Sequence, residues 1–141
     1  MTEEETLHIA SLFDAYRMFY EQESNIEAAK NFILERLQKS ESIIFAAIIE
    51  NEYVGFTQLY PTFSSVAMKK AFILNDLFVA ENYHKNGVAQ ALMNKAFEFA
   101  EDQNARFIAL ETSVNNQKAQ ALYKKMGMLI ENDVMHFIHY W

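Results

Sequence analysis

The amino-acid sequence predicts an α/β fold in which helices flank a mixed sheet. Apolar residues recur at helical spacing in the first third of the chain, and continuous apolar runs with β-branched residues follow. From there to the C-terminus, strands and helices alternate. The 141 residues suffice for one hydrophobic core but not comfortably for two, so a single domain is expected over residues 1–141.

Two helices are predicted before the first strand, because apolar residues lie three and four positions apart in both segments. These residues are Ile9, Leu12, Phe13, Tyr16, Phe19 and Tyr20 in the first helix and Ile26, Ala29, Phe32, Ile33 and Leu37 in the second. Ser24 or Asn25 is suited to begin the second helix, since a short polar side chain accepts a hydrogen bond from the first helical turn.

Strand-like segments follow the two helices. The run IIFAAIIE, a turn at residues 50–52 and the run YVGFTQLY predict a hairpin, and Pro61 is expected to end its second strand. TFSSVAMKK is expected to form a loop, and AFILNDLFVA the next strand. Because the hairpin is antiparallel and helices separate the later strands, the sheet is expected to be mixed.

The rest of the chain alternates between helix and strand. We expect a helix from Gly87 to about residue 103, the strand RFIALETS, and a helix over residues 116–126 with Gly127 just past its end. The C-terminal segment VMHFIHYW is strand-like.

Composition argues against several classes of protein and partner. The formal charge of −7 disfavours nucleic acid, which is bound by neutralising its phosphates. No apolar run approaches membrane-spanning length, and the N-terminal MTEEET is acidic where a signal peptide is basic, so no membrane partner and a cytoplasmic location are expected. Without cysteine, and with histidines at no metal-binding spacing, no metal site is expected.

The segment most informative about function joins the strand FILNDLFVA to the helix that follows Gly87. The first turn of a helix presents unpaired N–H groups at the positive end of its dipole, so this junction could hold a diphosphate. Small residues at Gly87 and Ala89 would let a ligand approach the backbone, and Lys85 adds positive charge. The alternative is an ordinary loop, capped by Asn86 and relieved of crowding by Gly87.

Asn75 and Asp76 interrupt the same apolar strand, and alternation places one on each face. Because burying an unpaired carboxylate is costly, Asp76 must be paired, solvated at a break in the sheet, or functional. The alternative is that this pair marks a β-bulge or a place where the strands splay.

Tyr123 lies on the apolar face of the last predicted helix, where a tyrosine usually belongs to the core. The alternative is a general acid. A phenol with a pKa near ~10 remains protonated at neutral pH and can give its proton to a thiolate whose conjugate acid has a pKa of about 8.5.

Together these segments resemble the GNAT superfamily of acyl-CoA-dependent N-acyltransferases. One family motif, Arg/Gln-x-x-Gly-x-Gly/Ala after a strand, corresponds to His84-Lys85-Asn86-Gly87-Val88-Ala89. The motif Asn-x-x-Ala-x-x-Leu-Tyr-x-x-x-Gly corresponds to Asn116, Ala119, Leu122, Tyr123 and Gly127. The resemblance runs from about Val54 to the C-terminus, and GFTQLYPTFSS with LNDLFV is similar to the polyamine (spermidine/spermine) type and its bacterial relatives.

The resemblance implies a mainly antiparallel GNAT sheet and transfer of an acetyl group from acetyl-CoA to a primary amine of a polyamine-like or amino-acid-like small molecule. The implied cofactor contacts are the backbone of His84, Lys85, Asn86, Gly87, Val88 and Ala89, the strand residues Phe78 and Val79, and Asn116 and Tyr123. The implied catalytic residues are Tyr123, Asp76 and Asn75, and the implied acceptor pocket contains Tyr16, Tyr20 and Glu21. A homodimer is also implied.

The sequence departs from the family pattern at two positions that matter for chemistry. His84 replaces the usual Arg or Gln, and Asn75 stands where the polyamine enzymes carry a glutamate proposed as the base. Other acceptors therefore remain open: D-amino acids, aminoglycosides, lysine side chains or a protein N-terminus. So does a CoA-binding dimer that has lost catalysis.

Overall fold

The computed structural model describes residues 2–141 and divides them into two compact units, one ending at Glu111 and one from Thr112 to Trp141. The first unit contains α1 (Glu3–Phe19), α2 (Ile26–Gln38), β1 (Ile43–Ile49), β2 (Glu52–Ser64), β3 (Lys69–Val79), a 3₁₀ helix (Glu81–Tyr83), α3 (Val88–Asp102) and β4 (Ile108–Ala109). The second contains α4 (Gln117–Lys125). None of the helices within residues 2–141 is long and apolar enough to cross a membrane.

The sheet has the strand order β1-β2-β3-β4. β1 pairs with β2, and β2 with β3, in antiparallel fashion, whereas β3 and β4 are parallel. The expectation of an α/β fold with a mixed, mainly antiparallel sheet is confirmed.

The prediction that Pro61 ends the second strand is wrong. β2 continues to Ser64, and Pro61 lies opposite Phe72 of β3. β1 reaches only as far as Leu59 along β2, so Pro61 occupies a free edge, where a missing N–H leaves no hydrogen bond unmade. TFSSVAMKK is correspondingly shorter as a loop, because its ends belong to β2 and β3.

The strands predicted nearest the C-terminus are also corrected. RFIALETS contributes only Ile108–Ala109 to the sheet, and VMHFIHYW forms no strand in the described residues. The apolar side chains of this last segment are exposed, up to 108% for Trp141. A strand-like amino-acid sequence alone does not make a stable strand, because each strand needs a neighbour to supply its hydrogen bonds.

The sheet of the first unit is covered on both faces. On one face, α1 and α2 pack through a cluster of buried residues: Ile9, Leu12, Phe13, Ala29, Ile33 and Phe56. On the other, α3 packs Val88 and Leu92 against Val54 of β2. The apolar faces predicted for these helices therefore pack against the sheet and form the two layers of the core.

Asp14 fixes the connection between α1 and α2. Its carboxylate accepts hydrogen bonds from the Ser24 hydroxyl at 2.6 Å and the Asn25 N–H at 2.7 Å. These bonds lower the pKa of Asp14 below its usual value. Asn25 is the residue that caps α2, accepting from the N–H of Ala28 at 3.1 Å, while Ser24 serves Asp14 instead.

Replacing Asp14→Ala is expected to lower the free energy of unfolding by about 1–3 kcal/mol at pH 7, because it removes two hydrogen bonds to a carboxylate. Since the folded pKa is depressed, this stabilisation is complete above the unfolded value of about 3.9 and is lost as the pH falls through the folded pKa. Urea denaturation of Asp14→Ala and wild type at pH 7 and in acid measures both effects. Glu23→Ala removes an exposed carboxylate from the same loop and is the control; an equal loss in the two variants contradicts the assignment.

Candidate functional site

A β-bulge lies at the centre of the candidate site. Gln58 of β2 pairs with Asp76 of β3, but the next residue, Leu59, pairs with Leu74, so Asn75 is the extra residue. Asn75 is exposed, whereas Asp76 is only 2% exposed. Of the interpretations offered by the sequence, the bulge is confirmed, and it turns one polar side chain outward and the other inward.

The Asp76 carboxylate is held by neutral donors. Gln58 Nε2 donates to Asp76 Oδ2 at 2.5 Å, and Asn75 Nδ2 donates to Asp76 Oδ1 at 3.1 Å. The Tyr16 hydroxyl lies within hydrogen-bonding reach of the same carboxylate and 3.4 Å from the carbonyl oxygen of Asn75. Burial outweighs these bonds and raises the pKa of Asp76 above its usual value. A raised pKa lets a carboxylate act as a proton acceptor closer to neutral pH.

Two tyrosines border this carboxyl group and remain protonated. Burial and the nearby Asp76 charge raise the pKa of Tyr60 to about 12, and the same causes raise that of Tyr16 further. The Tyr60 hydroxyl accepts a hydrogen bond from Gln58 Nε2 at 3.1 Å. Both phenols can therefore donate hydrogen bonds at the site without becoming charged.

The predicted acceptor-pocket residues are only partly brought together. The Tyr16 ring contacts Phe56 and Phe78 of the sheet, with ring centroids 6.0 Å and 6.1 Å away, and Tyr20 at 5.0 Å. Tyr20 is therefore linked to the Asp76 cluster through Tyr16, and it is 53% exposed. Glu21 is exposed just past the end of α1, with a positive φ of 64°.

The turn between β3 and α3 has the exposed backbone that an anion site requires. His84, Lys85, Asn86 and Gly87 are exposed, Ala89 is half-buried, and Val88, the first residue of α3, is buried. Gly87 is itself the N-cap residue, with a φ of 74° that glycine adopts without strain, so the alternative in which Asn86 caps the helix is wrong.

His84 connects this turn to the end of β3. Its Nε2 atom lies 2.8 Å from the carbonyl oxygen of Val79, so the neutral ring carries its proton on Nε2. Phe78 and Val79 lie in a part of β3 that has a neighbouring strand on one side only. β4 ends opposite Ile73, and from Leu74 onward β3 pairs only with β2 among the described residues. An edge of this kind can accept an extended chain by backbone hydrogen bonding.

Asn116 and Tyr123 belong to the second unit. Asn116 caps α4 by accepting a hydrogen bond from the N–H of Ala119 at 3.1 Å, and Tyr123 is half-buried within that helix. Gly127 follows the helix with a φ of 87°. The spacing of Asn116 and Gly127 therefore reflects the two ends of one short helix.

A cavity of about 390 Å³ lies apart from these groups. Its walls are His8, Ser11, Leu12, Asn51, Glu52 and Tyr53. It contains none of the predicted site residues. Within residues 2–141, no group of three or more histidine, aspartate or glutamate side chains is arranged to hold a metal ion.

Comparison with known proteins identifies the family of this chain. Residues 9–128 match the Acetyltransferase (GNAT) family. The chain belongs to this family. It is 44% identical over 132 residues to the uncharacterized N-acetyltransferase YhfO of Bacillus subtilis (strain 168), covering 94% of this chain and 87% of that protein. The chain described here is accordingly an N-acetyltransferase.

Two solved structures share this fold. The crystal structure of a probable acetyltransferase is 35% identical, with a TM-score of 0.94 over 100% of this chain and 95% of that one. The aminoglycoside N-acetyltransferase AAC(6')-Iy, in complex with CoA, shares the fold with a TM-score of 0.80 at 19% identity, over 99% of this chain and 91% of that one.

Gln58 and Tyr60 were not predicted from the sequence as site residues. The available signal was Gln58 itself, a polar side chain inside the apolar run YVGFTQLY. A buried amide requires hydrogen-bonding partners, and these could have been sought on the neighbouring strand. Which residue of the neighbouring strand lies opposite Gln58 depends on the position of the bulge in β3.

The raised pKa of Asp76 predicts how the Asp76→Asn variant responds to pH. Between the unfolded and folded pKa values the folded protein binds more protons, so wild-type stability falls as the pH rises through that window. The variant lacks this titration. The melting temperature of the variant minus that of the wild type should therefore increase by several degrees as the pH is raised from acid to neutral. Glu98→Gln, in the exposed face of α3, is the control. A difference that does not vary with pH contradicts the raised pKa.

Proposed function

We propose that this GNAT N-acetyltransferase transfers the acetyl group of acetyl-CoA directly to a primary amine of a small molecule in a ternary complex. The observation that carries the proposal is the buried Asp76 carboxyl group, with its raised pKa, at a bulge in β3. It lies in the strand whose end leads into the exposed turn before α3. A proton acceptor and an anion-binding turn on one continuous segment are what an acyl-CoA-dependent transfer to nitrogen requires.

Acetyl-CoA is assigned to the turn and the open end of β3. The backbone N–H groups from His84 to Ala89 would hold the diphosphate, helped by the α3 dipole and the Lys85 charge. The main chain of Phe78 and Val79 would pair with the pantetheine arm as an added strand. Because the His84 ring already contacts the Val79 carbonyl, the diphosphate would depend on backbone groups rather than on this side chain. Asn116 and Tyr123 would complete the cofactor contacts.

The amine has to lose a proton before it attacks the thioester. An alkylammonium has a pKa near ~10.4, so presenting it as a neutral amine at pH 7 costs about 4–5 kcal/mol. Asp76 would take this proton through the Tyr16 hydroxyl or a bridging water, since its own carboxyl is buried. Asn75, exposed at the bulge, would hold the amine by a hydrogen bond, and Tyr20 and Glu21 would line the acceptor side.

The transfer step then breaks the thioester bond. The amine nitrogen would form a bond to the carbonyl carbon, and the CoA sulfur would depart with the electron pair of the C–S bond. The nitrogen would then lose its second proton to solvent and become the amide. Tyr123 would donate its phenolic proton to that sulfur. The phenol pKa of about 10 lies above the thiol value of about 8.5, so the enzyme would regain the proton from solvent at the end of the cycle.

The proposal also concerns the chemical class of the acceptor. The net charge of −7 favours an acceptor that carries an ammonium group, such as a polyamine-like or amino-acid-like amine, because it attracts positive charge over long range. A protein N-terminus, a lysine side chain and an aminoglycoside are the other acceptors compatible with this fold.

We also propose that the chain acts as one domain in the cytoplasm and forms a homodimer, for which the exposed apolar side chains between Leu129 and Trp141 offer surface.

Acetyl-CoA should raise the melting temperature of the protein, since a ligand at 100 times its dissociation constant stabilises the folded state by about 2.7 kcal/mol. Gly87→Ala is expected to lose most of this increase in melting temperature, because its methyl group would keep the diphosphate away from the backbone of the turn. Gly127→Ala is the matched control, because both glycines have positive φ values and no atom within 4 Å of an added Cβ. Both variants should therefore lose similar intrinsic stability. An undiminished acetyl-CoA shift in Gly87→Ala would rule out the turn as the diphosphate site.

The role of Tyr123 is tested by steady-state rates on a panel of amines, with release of free thiol as the signal. Tyr123→Phe should lower kcat by about 10²-fold or more, as loss of a general acid does. Tyr140→Phe, an exposed tyrosine of the same unit, should leave kcat unchanged. If Tyr123→Phe keeps wild-type turnover across a pH series, the general-acid role is wrong. Wild-type protein without activity on any amine would instead favour the CoA-binding dimer.

A further inference from the structure

We infer that Gln58 is a positioning residue whose carboxamide fixes the Asp76 carboxylate and so sets the pH range in which Asp76 can accept the proton of the acceptor amine. The inference rests on the proposed function and extends it to a residue to which the family resemblance assigns no role. Gln58 would act through Asp76 rather than on the substrate. It is fully buried, with 0% exposure.

The bulge creates the contact between the two side chains. Because β3 carries one extra residue, Asp76 comes directly opposite Gln58 and faces the same side of the sheet. The two N–H bonds of the Gln58 carboxamide then have two acceptors, Asp76 Oδ2 at 2.5 Å and Tyr60 Oη at 3.1 Å. This matches the donor capacity of an amide nitrogen.

The orientation of the carboxamide is determined by the charge of Asp76. If the amide were reversed, its oxygen would face the carboxylate and the two acceptors would repel each other. In the observed orientation, Gln58 Oε1 is buried and has no donor among residues 2–141. Leaving such an acceptor unpaired destabilises the folded state. A side chain retained only for packing would not carry this cost, whereas one that stabilises the carboxylate would.

Every group that faces Asp76 is neutral when the carboxyl group is charged. Tyr16 faces it from α1, Gln58 and Tyr60 from β2, and Asn75 from β3 itself. No ion pair joins Asp76 to a cation within the described part of the chain, and the nearest named cation, Arg36 of α2, lowers the pKa of the neighbouring Tyr60. The Gln58 hydrogen bond is the largest influence that opposes the effect of burial on the pKa of Asp76. Removing this donor should therefore make the carboxylate harder to form.

The experiment uses Gln58→Met in the full chain. Methionine has a similar length and no donor, so the carboxylate loses one hydrogen bond while the space stays filled. Two quantities are measured: the pH dependence of kcat/KM for the best amine, and the titration of the Asp76 carboxyl carbon by NMR. Both midpoints are expected to rise by about one pH unit, the shift that corresponds to one hydrogen bond to a charged group. Above the new midpoint, kcat/KM should return to near the wild-type value.

Two further variants make the result interpretable. Ser42→Ala removes another buried side chain whose oxygen has no partner among residues 2–141, and it should leave both midpoints unchanged. If Gln58→Met does not fold, Gln58→Glu retains the shape of the side chain and should also move the midpoints upward, because a second acidic group opposes ionisation of Asp76.

The outcomes separate the two levels of the argument. If the wild type acetylates an amine but neither midpoint moves in the Gln58 variant, the inference about Gln58 is overturned and the proposed function stands. If the wild type acetylates no amine, the proposed function fails whatever the carboxyl titration gives. A raised midpoint in both measurements supports the inference, since a merely structural role for Gln58 would lower activity equally at all pH values.

Discussion

One extra residue in β3 is the constraint on which the candidate site depends. Strand residues alternate between the two faces of a sheet, so the inserted Asn75 changes which side chain points inward. It brings Asp76 into the interior beside Gln58 and leaves Asn75 exposed. Without the bulge, the same sequence would not place a carboxylate and its amide donor in contact.

Burial without a cation then gives Asp76 its chemical character. A carboxylate paired with an arginine or a lysine would have a low pKa and would be a poor base, whereas one held only by neutral donors keeps a raised pKa. Tyr16 borders this carboxyl group, and its ring packs in turn against Phe56 and Phe78 of the sheet. Core packing and acid-base chemistry are therefore served by the same contacts between α1 and the sheet.

The end of β3 joins this chemistry to the cofactor turn. Because β4 contributes only Ile108–Ala109, the last residues of β3 have an open edge, and the exposed turn before α3 follows directly. This edge and this turn are where we propose that acetyl-CoA, the cosubstrate of the GNAT family, binds. A long strand with a short parallel neighbour thus provides a hydrogen-bonding edge that a fully paired strand would lack.

Local sequence patterns were sufficient for the helices, the first hairpin and the special position of Gly87. Helical periodicity, a cap at Ser24 or Asn25, and glycine just past the end of a helix all depend on neighbours within a few residues, and the structure selects Asn25 as the cap. Family motifs added the expected functions of the turn and of Tyr123. The prediction at Pro61 failed because the effect of proline depends on whether the strand has a neighbour on that side, which local sequence does not reveal.

The sequence by itself therefore determined the α/β class, the order of the elements and the turn before α3. Only the tertiary structure decided that β2 continues past Pro61, that β4 is short, that the last segment forms no strand, and that Gln58 holds Asp76. These features depend on the hydrogen-bonding register between strands, and Gln58 and Asp76 are 18 residues apart. The free energy that selects such a register comes from the packing of the whole sheet against its helices, and no short window of sequence contains it.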